Sequence, residues 1–151
     1  MIPELFKNLL SLHILLGVGA TAAFGYAWMQ FKNPDYKMLN VQILSILGAL
    51  ALFSSWITGG YYYLYYYGEN VKPQILAGSQ PWAHKLIMEA KEHIFLIMPL
   101  IAVTILLSVF LLKDEFQTEP QIKKSVSALL AFNAILGISI MVMGFIISGA
   151  H

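Results

Sequence analysis

The sequence contains no cysteine and no arginine, and only 11% of its 151 residues are charged. The lack of cysteine excludes disulfides, thiolate zinc sites, cysteine-ligated iron–sulfur clusters and the CxxCH attachment of c-type haem. Nine lysines and eight acidic residues leave a formal charge of +1, so the basic field that nucleic-acid binding needs is missing. Any bound metal must therefore be held by histidine, methionine, tyrosine or carboxylate side chains.

What the sequence has in excess is apolar residues, which make up 58% of it and give a mean hydropathy of +0.69. Four long stretches, at about 5–31, 36–67, 81–112 and 120–150, can each cross a bilayer as a helix. The segment 68–81 between the second and third stretches is predicted as a loop. The pattern predicts an all-α fold, an up-down-up-down bundle of four transmembrane helices forming one integral membrane domain over 1–151.

Charged residues are absent from the middle of every span, at 14–31, 38–68, 94–112 and 125–150. Pumps, channels and transporters usually carry such residues within the membrane, so the pattern disfavours these classes. Five lysines flank one membrane face and four flank the other, and the positive-inside rule then places both termini outside the cytoplasm. We expect an inner-membrane protein of a bacterium, surrounded by lipid.

Two histidines are predicted to share one depth in the membrane. His13 lies 19 residues before Lys32, and His93 lies 20 residues before Lys113. At about 1.5 Å per residue, both lie roughly 30 Å above the inner edge. The first and third spans run parallel and can be diagonal neighbours in the bundle. Such facing helices commonly build a cofactor site.

Glycines occupy the corresponding level of the other two spans. Counting from Met38 reaches Gly59 and Gly60, and counting from Lys124 reaches Gly144. A flat macrocycle would need imidazoles on two sides and small residues on the flanking helices. The pattern therefore predicts a cofactor site at this depth.

Small and weakly polar residues indicate which helix faces point inward, because such residues mark helix interfaces in membranes. The predicted inward stripes are His13, Gly17, Thr21 and Gly25; His93, Leu100, Thr104 and Ser108; and Asn133, Gly137, Met141, Gly144 and Ser148. Both His13 and His93 are thus expected to face the interior. His84 precedes His93 by nine residues and lies on the opposite face of the same helix.

Charged residues cluster beside His93 in "EAKEHIFLIMP" (89–99). Lys85 or Lys91 would pair with the propionates of a haem, and Glu89 could accept a proton from a quinol. A solvated start of a helix explains the same charges, and for the individual charges it is the preferred explanation. The run "YYYLYYY" (61–67) and Trp82 are interpreted as an aromatic belt at the membrane interface.

The segments "SLHILLGVG" (11–19) and "PWAHKLIMEAKEHI" (81–94) resemble the small four-helix membrane b-type cytochromes. They resemble more faintly the membrane protoporphyrinogen oxidases and the copper-resistance membrane proteins. The first resemblance implies a haem b held by His13 and His93, and it leaves His84 without a counterpart.

The leading interpretation is a b-type cytochrome that passes electrons between quinol or a partner subunit and an extracytoplasmic acceptor. Three alternatives remain open. A haem- or quinone-linked oxidoreductase would need a substrate cleft, lined by Trp56, Trp82 and Glu89. A non-haem iron or copper site would use His13, His93 and Glu89, with His84 and Met141 as other candidate ligands. A cofactor-free accessory subunit of a larger membrane complex would need no site.

Overall fold

The computed structural model describes residues 3–150, and this part of the chain is helical with no strand. The helices are α1 (Glu4–Lys32), α2 (Met38–Tyr62), α3 (Lys72–Ala77), α4 (Glu89–Leu111), α5 (Glu115–Thr118) and α6 (Pro120–Ser148). Two π-helical segments, Tyr63–Val71 and Ala83–Met88, join α2 to α3 and lead into α4. The all-α prediction is confirmed.

Four helical stretches are long and apolar enough to cross a membrane: Glu4–Lys32, Met38–Ala77, Ala83–Leu111 and Pro120–Ser148. These are the four predicted spans, and the chain has the architecture of an integral membrane protein. Many large apolar side chains point away from the bundle, as expected for a surface that faces lipid.

The second span continues further than the sequence predicts. Residues 68–77, expected in a loop, extend the helix to Ala77, and the connection is reduced to 78–82. The polar run that begins at Gly68 suggests a loop, but its backbone keeps helical hydrogen bonding with π geometry. The helical stretch Met38–Ala77 has 40 residues, whereas about 20 are enough to cross the hydrocarbon layer.

The bundle places α1 beside α2 and α6, and α4 beside the same two helices. The first and third spans therefore lie diagonally, as predicted. We call the end of the bundle at which α1 begins the outer end and the opposite end the inner end. The main core fills the inner half of the bundle and includes Phe24, Phe31, Val41, Ile105 and Leu130. A smaller apolar cluster closes the outer end with Tyr67, Val71, Ile75, Ala83 and Ile147.

Candidate functional site

A cavity of about 390 Å³ lies in the outer half of the bundle, between the two apolar clusters. All four spans contribute to its wall, and its volume falls within the range of small-molecule sites. The wall is largely apolar, with a small number of polar side chains, among them His13, Ser55 and Lys91. This combination is typical of a ligand site.

His13 is held in the cavity wall by Ser55 of α2. The Nδ1 atom of His13 lies 2.9 Å from the backbone carbonyl oxygen of Ser55 and 2.9 Å from its Oγ. The Ser55 hydroxyl in turn donates to the His13 carbonyl oxygen at 3.0 Å. Because a carbonyl oxygen can only accept, Nδ1 carries the proton in this arrangement. The other ring nitrogen, Nε2, then keeps its lone pair, which is the form that binds a metal.

Gly59 makes room for that imidazole. A β-carbon at this position would lie 2.5 Å from Nδ1 of His13. The sequence interpretation assigned the space at Gly59 to a macrocycle, whereas the structure fills it with the His13 ring. At Gly60 a β-carbon would have no neighbouring atom within 4 Å, and this residue does not line the cavity.

Three further glycines on α1 and α6 line the cavity: Gly17, Gly137 and Gly144. The space beside Gly137 is filled by the side chain of Thr21. A β-carbon on Gly17 would lie 3.5 Å from Ser55 Oγ, and one on Gly144 would lie 3.8 Å from Lys91 Nζ. These positions bring helix backbone close to the cavity, where a flat ligand could pack.

Lys91 enters the cavity from the third span. It shares a helix face with Met98, seven residues later, and both line the cavity. The carboxylate of Glu92 interacts electrostatically with the Lys91 amine. Lys85, the other lysine predicted to pair with propionates, is exposed outside the cavity. Lys91 can therefore contact a ligand in the cavity, and Lys85 cannot.

The prediction that His93 faces the interior is wrong. Its side chain is exposed, does not line the cavity, and places Nδ1 2.6 Å from the Glu89 carbonyl oxygen one turn earlier. The buried face of α4 carries Met98, Ala102, Ile105 and Val109. Ala102 follows His93 by nine residues, which is about half a turn around the helix.

The stripe predicted to face inward on this helix, which includes Leu100 and Thr104, faces outward. Leu100 is 69% exposed and Thr104 is also exposed. The Thr104 hydroxyl donates to the Leu100 carbonyl oxygen at 2.9 Å, so it needs no partner on another helix. A threonine satisfied in this way does not mark the inward face.

The remaining candidate metal ligands are dispersed. Glu89 is exposed, His84 lies outside the cavity wall, and Met141 lines the cavity. Within residues 3–150 no group of three or more histidine, aspartate and glutamate side chains is placed to hold a metal ion. The predicted non-haem set of His13, His93 and Glu89 is therefore not assembled.

The cavity is not lined by the residues predicted for a substrate cleft, Trp56, Trp82 and Glu89. Trp56 and Trp82 are both exposed, and neither lines the cavity. Together with the exposed Glu89, they lie on the outer surface of the helices.

Exposed apolar side chains of α1 and α6 form part of the cavity wall. Ile14, Val18 and Phe145 contribute to its wall and are also exposed on the outside of the bundle, Phe145 to 78%. In a membrane, this side of the bundle contacts the lipid tails. An apolar ligand could therefore reach the cavity from the bilayer.

Tyrosines close the outer end of the cavity. Tyr62, Tyr63 and Tyr67 line it, and the rings of Tyr63 and Tyr67 stack with centroids 5.3 Å apart. Tyr61 and Tyr65 are exposed, as expected for an interfacial belt. One face of the helix over 61–67 is thus exposed, as in an interfacial belt, and the other face lines the cavity.

Sequence reasoning missed Ser55 and Tyr67. Ser55 lies 17 residues after Met38 and so falls within a turn of the His13 level. The prediction for this level of the second span considered only Gly59 and Gly60. The signal for Tyr67 is its four-residue spacing from Tyr63, which places both on one face.

No protein-family model, curated protein or solved structure matches this chain. The resemblance to membrane b-type cytochromes therefore rests on the residue pattern alone.

Proposed function

We propose that the protein is a membrane b-type cytochrome with one haem b in the outer cavity, where His13 would bind the iron. The observation that carries the proposal is the hydrogen bond from His13 Nδ1 to the Ser55 carbonyl oxygen at 2.9 Å. Metal-binding histidines usually donate their second ring nitrogen to such an acceptor, which fixes the ring and its tautomer. In the absence of cysteine, a haem would have to be held without covalent attachment.

The residues around His13 suit such a group. Gly17 and Gly144 contribute helix backbone to the wall. Lys91 would offer a positive charge to a propionate, and Met141 would offer a thioether as a second iron ligand in place of His93. Bound haem would supply one-electron chemistry, while these side chains bind it, orient it and keep water away.

The position of the cavity supports electron exchange on one face. His13, Lys91 and the cavity lie in the half that contains the beginning of α1, and the inner half is filled by the apolar core. We propose that electrons enter and leave at that outer face, coming from quinol or a partner subunit and going to an extracytoplasmic acceptor. The location in a bacterial inner membrane, with both termini outside the cytoplasm, belongs to this proposal.

A second candidate is a quinone-linked membrane oxidoreductase that uses the same cavity. The exposed apolar side chains of α1 and α6 in its wall, Ile14, Val18 and Phe145, favour a ligand that arrives from lipid. His13 Nε2 could accept a hydrogen bond from a quinol hydroxyl, and Lys91 could donate one to a quinone oxygen.

The haem content of the purified protein separates these functions. The proposal expects about one haem per chain, released intact by acid because no covalent bond holds it. A colourless protein that retains quinone would favour the second candidate. A colourless protein that binds neither would indicate an accessory subunit of a larger complex.

A further inference from the structure

Tyr67 connects the cavity to a histidine behind its wall. Its side chain lines the cavity but is only 3% exposed to solvent. Its hydroxyl lies 3.0 Å from Nδ1 of His84, which is itself 5% exposed. A buried tyrosine hydroxyl bonded to a buried imidazole is more than an interfacial belt requires.

His84 lies at the outer end of the bundle, just after the 78–82 connection. The charged groups that act on it are Lys72 from α3 and Glu89 and Glu92 from α4. Tyr63, stacked on Tyr67, interacts with Glu92. The part of α6 nearest to this end, 140–148, contains no titratable residue. His84 is the side chain in this pair that can take up a proton and become a cation.

The hydrogen bond between these two residues can run in either direction. When His84 is unprotonated at Nδ1, the Tyr67 hydroxyl donates to it. When His84 gains a proton, Nδ1 becomes the donor and the Tyr67 oxygen accepts. The Tyr67 hydrogen must then turn away from His84, and the cavity is the space that the side chain borders.

We propose that Tyr67 and His84 couple electron transfer in the cavity to proton uptake from the outer face. The inference rests on the proposed function, because it requires a redox centre in the cavity. Protonation of His84 directs the Tyr67 O–H dipole at that centre, where it stabilises the added negative charge. Each electron from the quinol or partner subunit is accompanied by one proton from outer water to His84, and both leave on reoxidation.

The test is the pH dependence of the midpoint potential of the haem-loaded protein in detergent. Full coupling of one proton to one electron changes the equilibrium constant tenfold per pH unit, which is about 59 mV. We expect the midpoint potential of the wild-type protein to fall as the pH rises between about 5 and 8, with a slope that approaches this value. Tyr67→Phe and His84→Gln should each flatten the slope, and Tyr65→Phe should keep it.

The outcomes separate this inference from the proposed function. A wild-type protein without haem would overturn both. A haem protein with a flat slope, or one in which Tyr67→Phe and His84→Gln keep the wild-type slope, would overturn the inference alone. If either variant loses its haem, the other decides the matter. Loss of haem in both would assign the pair a structural role and overturn the coupling.

Discussion

Gly59 and His13 occupy complementary positions on neighbouring helices. The imidazole of His13 fills the space where a side chain on Gly59 would begin, since a β-carbon there would lie 2.5 Å from Nδ1. The same nitrogen lies 2.9 Å from the Ser55 carbonyl oxygen, one turn earlier on α2. The missing side chain and the carbonyl oxygen together fix the orientation of the ring towards the cavity.

Gly59→Ala should displace His13 and reduce the bound haem to a small fraction of wild type. The added methyl group forces the ring away from Ser55, at a cost of about 1–3 kcal/mol for overpacking. Gly60→Ala is the matched control, because nothing lies within 4 Å of its β-carbon position. It should keep its haem and gain about 0.5–1 kcal/mol from helix propensity. Haem-to-protein ratios and thermal unfolding in detergent measure both effects, and equal haem loss in the two variants would refute the assignment.

Gly137→Ala should destabilise the bundle with or without a cofactor. A β-carbon on Gly137 would collide with Oγ1 of Thr21, whose hydroxyl is fixed by a 2.9 Å hydrogen bond to the Gly17 carbonyl oxygen. We expect a loss of about 1–3 kcal/mol in unfolding experiments in detergent. Gly19→Ala, on the same helix as Thr21 but with nothing within 4 Å, should be neutral or stabilising. An unchanged stability of Gly137→Ala would show that α1 and α6 do not approach closely here.

Lys91→Met should weaken haem binding about tenfold or more. Loss of a charge-assisted hydrogen bond costs about 1.5–3 kcal/mol, and methionine preserves the length and apolar character of the stem. Lys85→Met removes the same charge from an exposed position and should leave the affinity unchanged. Titration of the apoprotein with haem gives both dissociation constants. Equal weakening in the two variants would point to a general effect of charge at this face.

Because the sequence has no cysteine, a single introduced cysteine would be the only thiol and can test the orientation of the protein in the membrane. Ser79 lies in the connection after α3 and Thr118 in α5, and both side chains are exposed at opposite ends of the bundle. With both termini outside the cytoplasm, Ser79→Cys should react with a membrane-impermeant thiol reagent in intact cells, and Thr118→Cys should react only after lysis. The reverse pattern would move electron exchange to the cytoplasmic face.

The fold could be predicted because each span is a long apolar run whose backbone must be satisfied as a helix in lipid. The end of the second span could not be predicted, because polar residues such as those after Tyr67 occur in loops and also in the exposed ends of helices. Their polarity indicates contact with water and does not distinguish the two.

The candidate site was predictable in depth and only partly in direction. A rise of about 1.5 Å per residue places His13, Gly59 and Gly144 at one level, and all three line the cavity. The same count places His93 and Gly60 at that level, and neither lines the cavity. Direction depends on which face of each helix packs inward. On α4 the polar residue Thr104 satisfies its own hydroxyl and points outward, while the apolar Met98 and Ala102 are buried.

The central claim is that His13, and not His93, holds a haem in the outer cavity. The reduced-minus-oxidised visible spectrum of the purified protein tests it directly, with His13→Ala and His93→Ala compared at equal protein concentration. The haem band should disappear in His13→Ala and remain in His93→Ala, because the His93 side chain is exposed outside the cavity. A band that survives in His13→Ala, or disappears in His93→Ala, would contradict the account.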